Sequence, residues 1–283
     1  MTSYVANTRI APRRHKRWTP STTLLVVLMC LVTVVMLYPF AFMVDNSLKT
    51  QAQFDSGSGH SLSSWAKLTR VIPVWRELLN STIVAVLAIA VILVVSSLAG
   101  FAFAKLRYRF AALVFLGIVA AMLIPMQSII IPAYVNLSKL HLLSGYWAAV
   151  LVYAALGTPF ATFLMATYYR SLPDELVEAA IVDGLGYRAT FLRIALPMSV
   201  PALVTVTVLQ FIQIWDDLLV GLLFLQNPDN RTITVGLGIL SSGRTTDIPV
   251  LMAGSIVSAI PAIAVYLIFQ RQLVNGLTAG MGK

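Results

Sequence analysis

The sequence predicts an all-α integral membrane protein with six transmembrane helices, and three observations carry that prediction. Of its 283 residues, 58% are hydrophobic and 11% are charged, whereas a soluble domain carries roughly 25% charged and about 45–50% apolar residues. Mean hydropathy is +0.84, which leaves too little charge to cover a globule's surface in water. Finally, the stretches 19–44, 78–104, 110–138, 140–169 and 248–270 contain no Asp, Glu, Lys or Arg, and a sixth, 194–215, stays apolar past Asp216 and Asp217 to Leu225.

A span needs about 20 mainly apolar residues to cross roughly 30 Å of hydrocarbon. Spans are therefore read at 22–44, 78–104, 111–131, 146–168, 199–225 and 250–270. The first exceeds the roughly 7–15-residue core of a secretory signal, and no small-residue cleavage site follows it, so it is an anchored span. Pro125, Pro159 and Pro261 fall within spans and are expected to kink them, which membrane helices tolerate when neighbours re-satisfy the freed backbone groups. Ser96, Gly100 and Ala104 recur every fourth residue on the second span and allow close helix contact. No repeat of fixed period is visible, so inverted-repeat folds gain no support. The chain thus divides into a basic tail (1–21), a membrane domain (22–270) holding a long loop at 169–198, and a polar tail (271–283).

Orientation follows from counting Lys and Arg on the two sides. With the N-terminus inside, the inner segments hold Arg9, Arg13, Arg14, Lys16, Arg17, Lys105, Arg107, Arg109, Arg170, Arg188, Arg193, Arg271 and Lys283, leaving seven of the 20 basic residues outside. Both termini are expected in the cytoplasm. The net charge of +9 lies mostly between apolar runs, which suits a negative membrane lipid face rather than nucleic acid. Cys30 is the single cysteine, so no internal disulfide can form, and His15, His60 and His141 make no metal-ligand cluster. No Ser/His/Asp or Cys/His arrangement suggests catalysis.

Two outer loops are long. Residues 45–77 contain a Gly/Ser-rich stretch read as flexible surface. Residues 226–249 carry Asn227, Asp229, Asn230, Arg231 and Arg244, expected to contact a docked extracytoplasmic protein. The inner loop 169–198 is too patterned for a mere connection. It opens on Ser171-Leu172-Pro173-Asp174, a capping-box spacing, and places Asp174, Glu175 and Glu178 near the positive end of a helix dipole. Gly184 permits a left-handed break before a second short helix, and Pro197 marks the next boundary. The resulting helix–turn–helix is half apolar and half acidic. Lipid fits it poorly, because anionic lipid prefers Lys and Arg.

Glu178-Ala179-Ala180, three residues, Gly184, nine residues, Ile194, one residue, Leu196-Pro197 resembles the EAA loop of permeases in binding-protein-dependent ATP-driven (ABC) importers. Asp183-Gly184 resembles the carbohydrate branch. Trp215-Asp216-Asp217-Leu218 looks like the Trp-Asn-Asp/Glu-aromatic pattern of sugar permeases, with Asp216 in place of the usual Asn. The tail Gln270-Arg271-Gln272-Leu273-Val274-Asn275-Gly276-Leu277-Thr278-Ala279-Gly280 is similar to the C-terminus of the second, maltose-type permease. The resemblance covers residues 20 to 283. It implies a type I ABC importer permease, a five-helix core plus an N-terminal span, in a bacterial or archaeal inner membrane. It also implies a second permease subunit, two ATPase subunits and an extracytoplasmic sugar-binding protein. On it, Glu178, Ala179, Ala180, Asp183, Gly184, Ile194, Leu196 and Pro197 grip the ATPases, and Gln270, Asn275 and Gly276 reach the interface between them. ATP and Mg are expected on the ATPase subunits and no cofactor on this one. The chain agrees: its one Gly-Lys pair, Gly282-Lys283, is not followed by the Ser or Thr of a phosphate-cradling loop.

Thr207, Gln210, Gln213 and Asp217 fall within an arc of roughly 120° on the fifth span. Polar groups at membrane depth normally face a bundle interior or an aqueous cavity, and amides and carboxylates suit sugar hydroxyls. Trp215 and Tyr153 offer rings for stacking. The same stripe could instead bond the partner permease. An ion-coupled carrier using Asp216 and Asp217 would leave the inner helix–turn–helix without a role, and a membrane hydrolase lacks a constellation. Phosphate-ester, polyamine or peptide importers share the loop but not the sugar-type tail.

Overall fold

The computed structural model describes residues 20–106, 108–243 and 246–279, with side chains through Leu273. Two compact units are present, the first ending at Asp45 and the second beginning at Asn46. In the first lies nearly all of α1 (Pro20–Ser47), whose apolar side chains stay exposed around the helix, among them Leu25, Val34, Tyr38 and Phe40. A helix apolar on every side is suited to lipid or to another apolar surface.

The second unit comprises α2 (Gln51–Ser56), α3 (Ser63–Val71), α4 (Val74–Lys105), α5 (Ala111–Ala121), α6 (Met126–Lys139), α7 (Trp147–Ser171), α8 (Asp174–Val182), α9 (Tyr187–Thr190), a π turn (Phe191–Ala195), α10 (Leu196–Met198), α11 (Val200–Asp216), α12 (Leu219–Phe224), a 3-10 turn (Pro228–Asn230), α13 (Ile233–Ser241) and α14 (Ile248–Ala279). Among the described residues, four helices (α1, α4, α7 and α14) are long and apolar enough to cross a membrane, and counting each of two bent pairs as one span raises the number to six.

Those bent pairs correct two expected spans. The third is broken between α5 and α6 by a 96° bend, with Pro125 extended at the start of α6. Pro159 and Pro261, by contrast, remain inside α7 and α14, because packing neighbours tolerate an isolated missing donor. The fifth ends at Asp216, since Asp217 turns extended (ψ 128°) and caps α12 through its carboxylate, Val220 N–H to Oδ1 at 2.8 Å. A second bend of 70° separates the segment 187–198 from α11.

The core is centred on α4 and α7. Ser96 and Gly100 are buried, and a Cβ on Gly100 would stand 2.7 Å from the Met165 Cβ. Gly157 of α7 has the same role toward α11, since the Gln210 amide occupies the space its Cβ would need. A smaller core gathers Leu68, Val74, Trp215, Ile233, Leu237, Val250 and Ala253.

Both long loops read as surface are largely helical. Residues 45–77 form the end of α1, α2, α3 and the start of α4, and in the Gly/Ser stretch (Ser56 to His60) Gly57 closes α2 at φ 72°. Residues 226–249 hold α13, whose Ile233, Val235 and Leu237 are buried. Its apolar run is too short for the membrane-length rule, so hydropathy alone does not reveal this helix.

Candidate functional site

The loop 169–198 builds an exposed helix tied down at its ends. Pro173, rather than Ser171, caps α8 and offers no side-chain bond, while the Ser171 hydroxyl donates back to the Tyr168 carbonyl at 2.7 Å. The expected capping box is therefore absent, because α7 runs on through Ser171. Glu178 and Ala179 are exposed and Ala180 is buried. Val182 is 86% exposed, so α8 presents acid and apolar surface side by side. Glu178 makes no ion pair among the described residues. After Asp183, Gly184 adopts φ 85°, and Leu185 N–H donates to the Ala180 carbonyl (2.9 Å) and Gly184 N–H to that of Ile181 (3.0 Å). This is a Schellman closure, which favours glycine at the left-handed position.

The chain then returns through α9 and the π turn that includes Ile194, with Leu196 N–H bonded back to the Phe191 carbonyl. Pro197 follows directly; a proline disturbs the carbonyl four residues before it, and a wider turn relieves that clash. Ile194 and Leu196 are half-buried and Pro197 exposed. Phe191 packs on Phe101 (ring centroids 5.3 Å apart) and Tyr169, and the Tyr169 hydroxyl bonds that of Ser199 at 3.0 Å. A cleft of about 300 Å³ opens between α8 and the end of α4, lined by Lys105, Asp174, Val177, Glu178 and Tyr187.

The opposite end of α4 holds the turn 227–231. Asn80 Nδ2 donates to the carbonyls of Asp229 (2.8 Å) and Arg231 (2.9 Å), and its Oδ1 accepts from the Tyr146 hydroxyl (2.7 Å). Arg76 pairs with Asp229 at 2.7 Å. Asn227 accepts from Asp229 N–H, and Asn230 donates to the Ser144 carbonyl. A cleft of about 440 Å³ lies beside them, lined by Arg76, Glu77, Asp229, Arg231 and Ile239. Arg244 lies outside the described residues.

Residues 96–278 match the family described as binding-protein-dependent transport system inner membrane component. The chain belongs to this family of ABC importer permeases. It is 31% identical over 250 residues (87% of this chain, 91% of the relative) to a putative ABC transporter permease protein of Caldicellulosiruptor sp.. Similarity extends at 30% identity to a sulfoquinovosyl glycerol transport system permease of Agrobacterium fabrum (86% and 88% covered). The trehalose/maltose transport system permease MalG of Thermococcus litoralis is also 30% identical (92% and 96% covered). In fold, a chain of a bacterial ABC transporter that imports the acidic polysaccharide alginate superposes with a TM-score of 0.78 at 21% identity, covering 90% of this chain and 98% of that one. The protein is thus a transmembrane permease subunit of type I fold and not itself an enzyme.

The permease's expected polar stripe divides on folding. Gln210 is buried against Gly157, Thr207 is half-buried with its hydroxyl bonded to the Leu203 carbonyl at 2.8 Å, and Gln213 is exposed. Asp217 leaves the helix altogether and accepts from the Tyr153 hydroxyl at 2.9 Å. Trp215 is 3% exposed; it stacks on Phe211 and donates to the Ser258 carbonyl at 2.9 Å. Its N–H thus ties α11 to α14, while its ring lies against Phe211 of its own helix. Gln270 is exposed, its amide bonded to the Leu267 carbonyl at 3.0 Å. Asn275 and Gly276 continue α14 without a break at 270, and their side chains lie outside the described ones.

Sequence reading missed Lys105 and Asn80 as site residues. Lys105 counted only as an inner charge. Asn80-Ser81, a polar pair at the mouth of an apolar span, was the available signal for the second.

Proposed function

We propose that this permease is the second membrane subunit of a carbohydrate ABC importer, forming half of the translocation pathway and taking its force from two ATPase subunits through α8. In this reading both termini face the cytoplasm, and the turn 227–231 faces the extracytoplasmic binding protein. The observation that carries it is α8 itself. An exposed helix bearing an unpaired Glu178 beside a nearly bare Val182 is a poor surface for water or anionic lipid, but a good knob for a cleft with apolar walls and a basic residue. Its Schellman closure at Gly184 fixes the knob's shape. Relatives whose names specify sulfoquinovosyl glycerol and trehalose/maltose support a glycoside as substrate. Of the expected path residues, Gln213 is exposed and Thr207 and Asp217 are half-buried, so these three are the polar groups best placed to line a path. ATP and Mg belong to the partner ATPases. The α14 extension carrying Asn275 and Gly276 reaches toward them.

The test is reconstitution with the cognate partner permease, ATPases and binding protein in proteoliposomes. Uptake of a labelled glycoside, driven by ATP and indifferent to proton uncouplers, is expected, and the ligand copurifying with the binding protein would name it. Full transport by Glu178→Lys permease would sink the assignment of α8.

A further inference from the structure

We propose that Lys105 is a positioning residue that locks the coupling helix to α4, so that movement of α8 is carried along α4 to the turn at its far end. The proposal rests on the reading of α8 as the element that docks the ATPases.

Lys105 is the last residue of α4, where a lysine ordinarily lies in solvent. Here its side chain is 3% exposed. Its ammonium donates to the Leu172 carbonyl and to Asp174 Oδ1, both at 2.6 Å. Leu172 and Pro173 are the two-residue hinge between α7 and α8. The cation therefore sits across that hinge, satisfying a carbonyl at the end of α7 and pairing with the first residue of α8. The cation suits the carbonyl end of α7, and the Asp174 carboxylate suits the N-terminus of α8.

The same turn of α4 holds the other end of the segment. Phe101 lies four residues before Lys105 and so shares its face. Its ring packs on Phe191, in the return from α8, with centroids 5.3 Å apart. One turn of α4 thus grips the coupling segment by an ionic contact where it begins and an aromatic contact where it ends. Between the two grips lies the cleft of about 300 Å³, so a cavity separates part of α8 from the α4 terminus. Motion of α8 reaches α4 through its tethers.

α4 is suited to pass that motion on. Its 32 residues span about 48 Å at 1.5 Å per residue. At its far end Arg76, Asn80 and Ser81 hold Asp229, Arg231 and Ile233. The strut is clamped at both ends to segments proposed to face different partners.

The experiment uses the complete importer in proteoliposomes, with uptake and binding-protein-stimulated ATP hydrolysis measured on the same samples. Backbone hydrogen exchange at 176–183 is measured on the same complex in detergent. Lys105→Met is expected to insert and to retain the ATPases, while uptake per ATP falls about tenfold, in the range of ordinary coupling energies, and exchange in α8 quickens. Lys105→Arg should restore most of the ratio. A normal uptake-to-ATP ratio in Lys105→Met overturns the proposal, whatever happens to exchange. Should that variant fail to insert, Asp174→Asn replaces it: a lowered ratio beside a near-normal Lys105→Arg supports the clamp, and two normal ratios overturn it. Glu178→Lys, run in parallel, separates the two claims. Its full assembly and transport would remove the docking role of α8, whereas α8 exchange in Lys105→Met reads the tether without any ATPase function.

Discussion

The two ends of α4 hold segments of opposite character. At one end, α8 is exposed, is tethered chiefly at its termini and carries an unpaired glutamate. At the other, the turn 227–231 is fixed by two bonds from the Asn80 amide, itself held by the Tyr146 hydroxyl, by the Arg76–Asp229 pair and by Asn230 on Ser144. A segment with few internal bonds keeps its groups for a partner. A segment whose polar groups are already satisfied offers shape instead. The proposed ATPase contact should thus be sensitive to charge, and the opposite turn to its internal scaffold.

Glu178→Lys tests the charged end and carries the largest expected effect. Truncating or reversing one member of a desolvated charge pair costs about 2–5 kcal/mol, so copurification of the ATPases should fall sharply while membrane insertion and the melting temperature of the permease hold. Asn80→Leu tests the scaffolded end. It leaves two carbonyls and the Tyr146 hydroxyl without their partner, and an orphaned polar group costs about 1–3 kcal/mol. Melting in detergent should drop by several degrees while ATPase binding persists. If the two variants exchanged phenotypes, the contrast between the ends would be broken.

Gly184→Ala sharpens the comparison by isolating backbone shape from charge. A Cβ there meets nothing within 4 Å, and φ is 85°, so the cost is conformational, about 1–2 kcal/mol. A several-fold fall in transport with normal insertion is expected. Gly184→Asn, which tolerates the left-handed region better, should recover part of it. The smallest effect belongs to Arg76→Ala. Its pair with Asp229 is more than half exposed on both sides, and such pairs contribute about 0–1 kcal/mol. Melting and transport should barely change, and a large loss would show that Arg76 meets a partner directly.

Much of the fold was legible because the bilayer imposes a length rule on apolar runs. The ends of α4 and α7 lie within a few residues of expectation. The segment proposed for coupling was legible because its spacing, Glu178 to Gly184 to Pro197, is local and its glycine is demanded by a local left-handed turn. Length alone failed where a polar residue found a use off the helix. Asp217 ended α11 by capping α12, and α13 (Ile233–Ser241) formed with its first turn buried despite being too short to span.

By itself the sequence determined that this chain is a membrane protein, where its long helices run, and which loop carries the pattern proposed for coupling, since hydropathy and short-range spacing are properties of consecutive residues. Only the tertiary structure decided that Trp215 donates to the Ser258 carbonyl, that Gln210 fills the space beside Gly157, and that Lys105 bridges 67 and 69 residues to Leu172 and Asp174. Those roles depend on which helix lies opposite, and a polar side chain inside a span has no readable partner until the bundle closes around it.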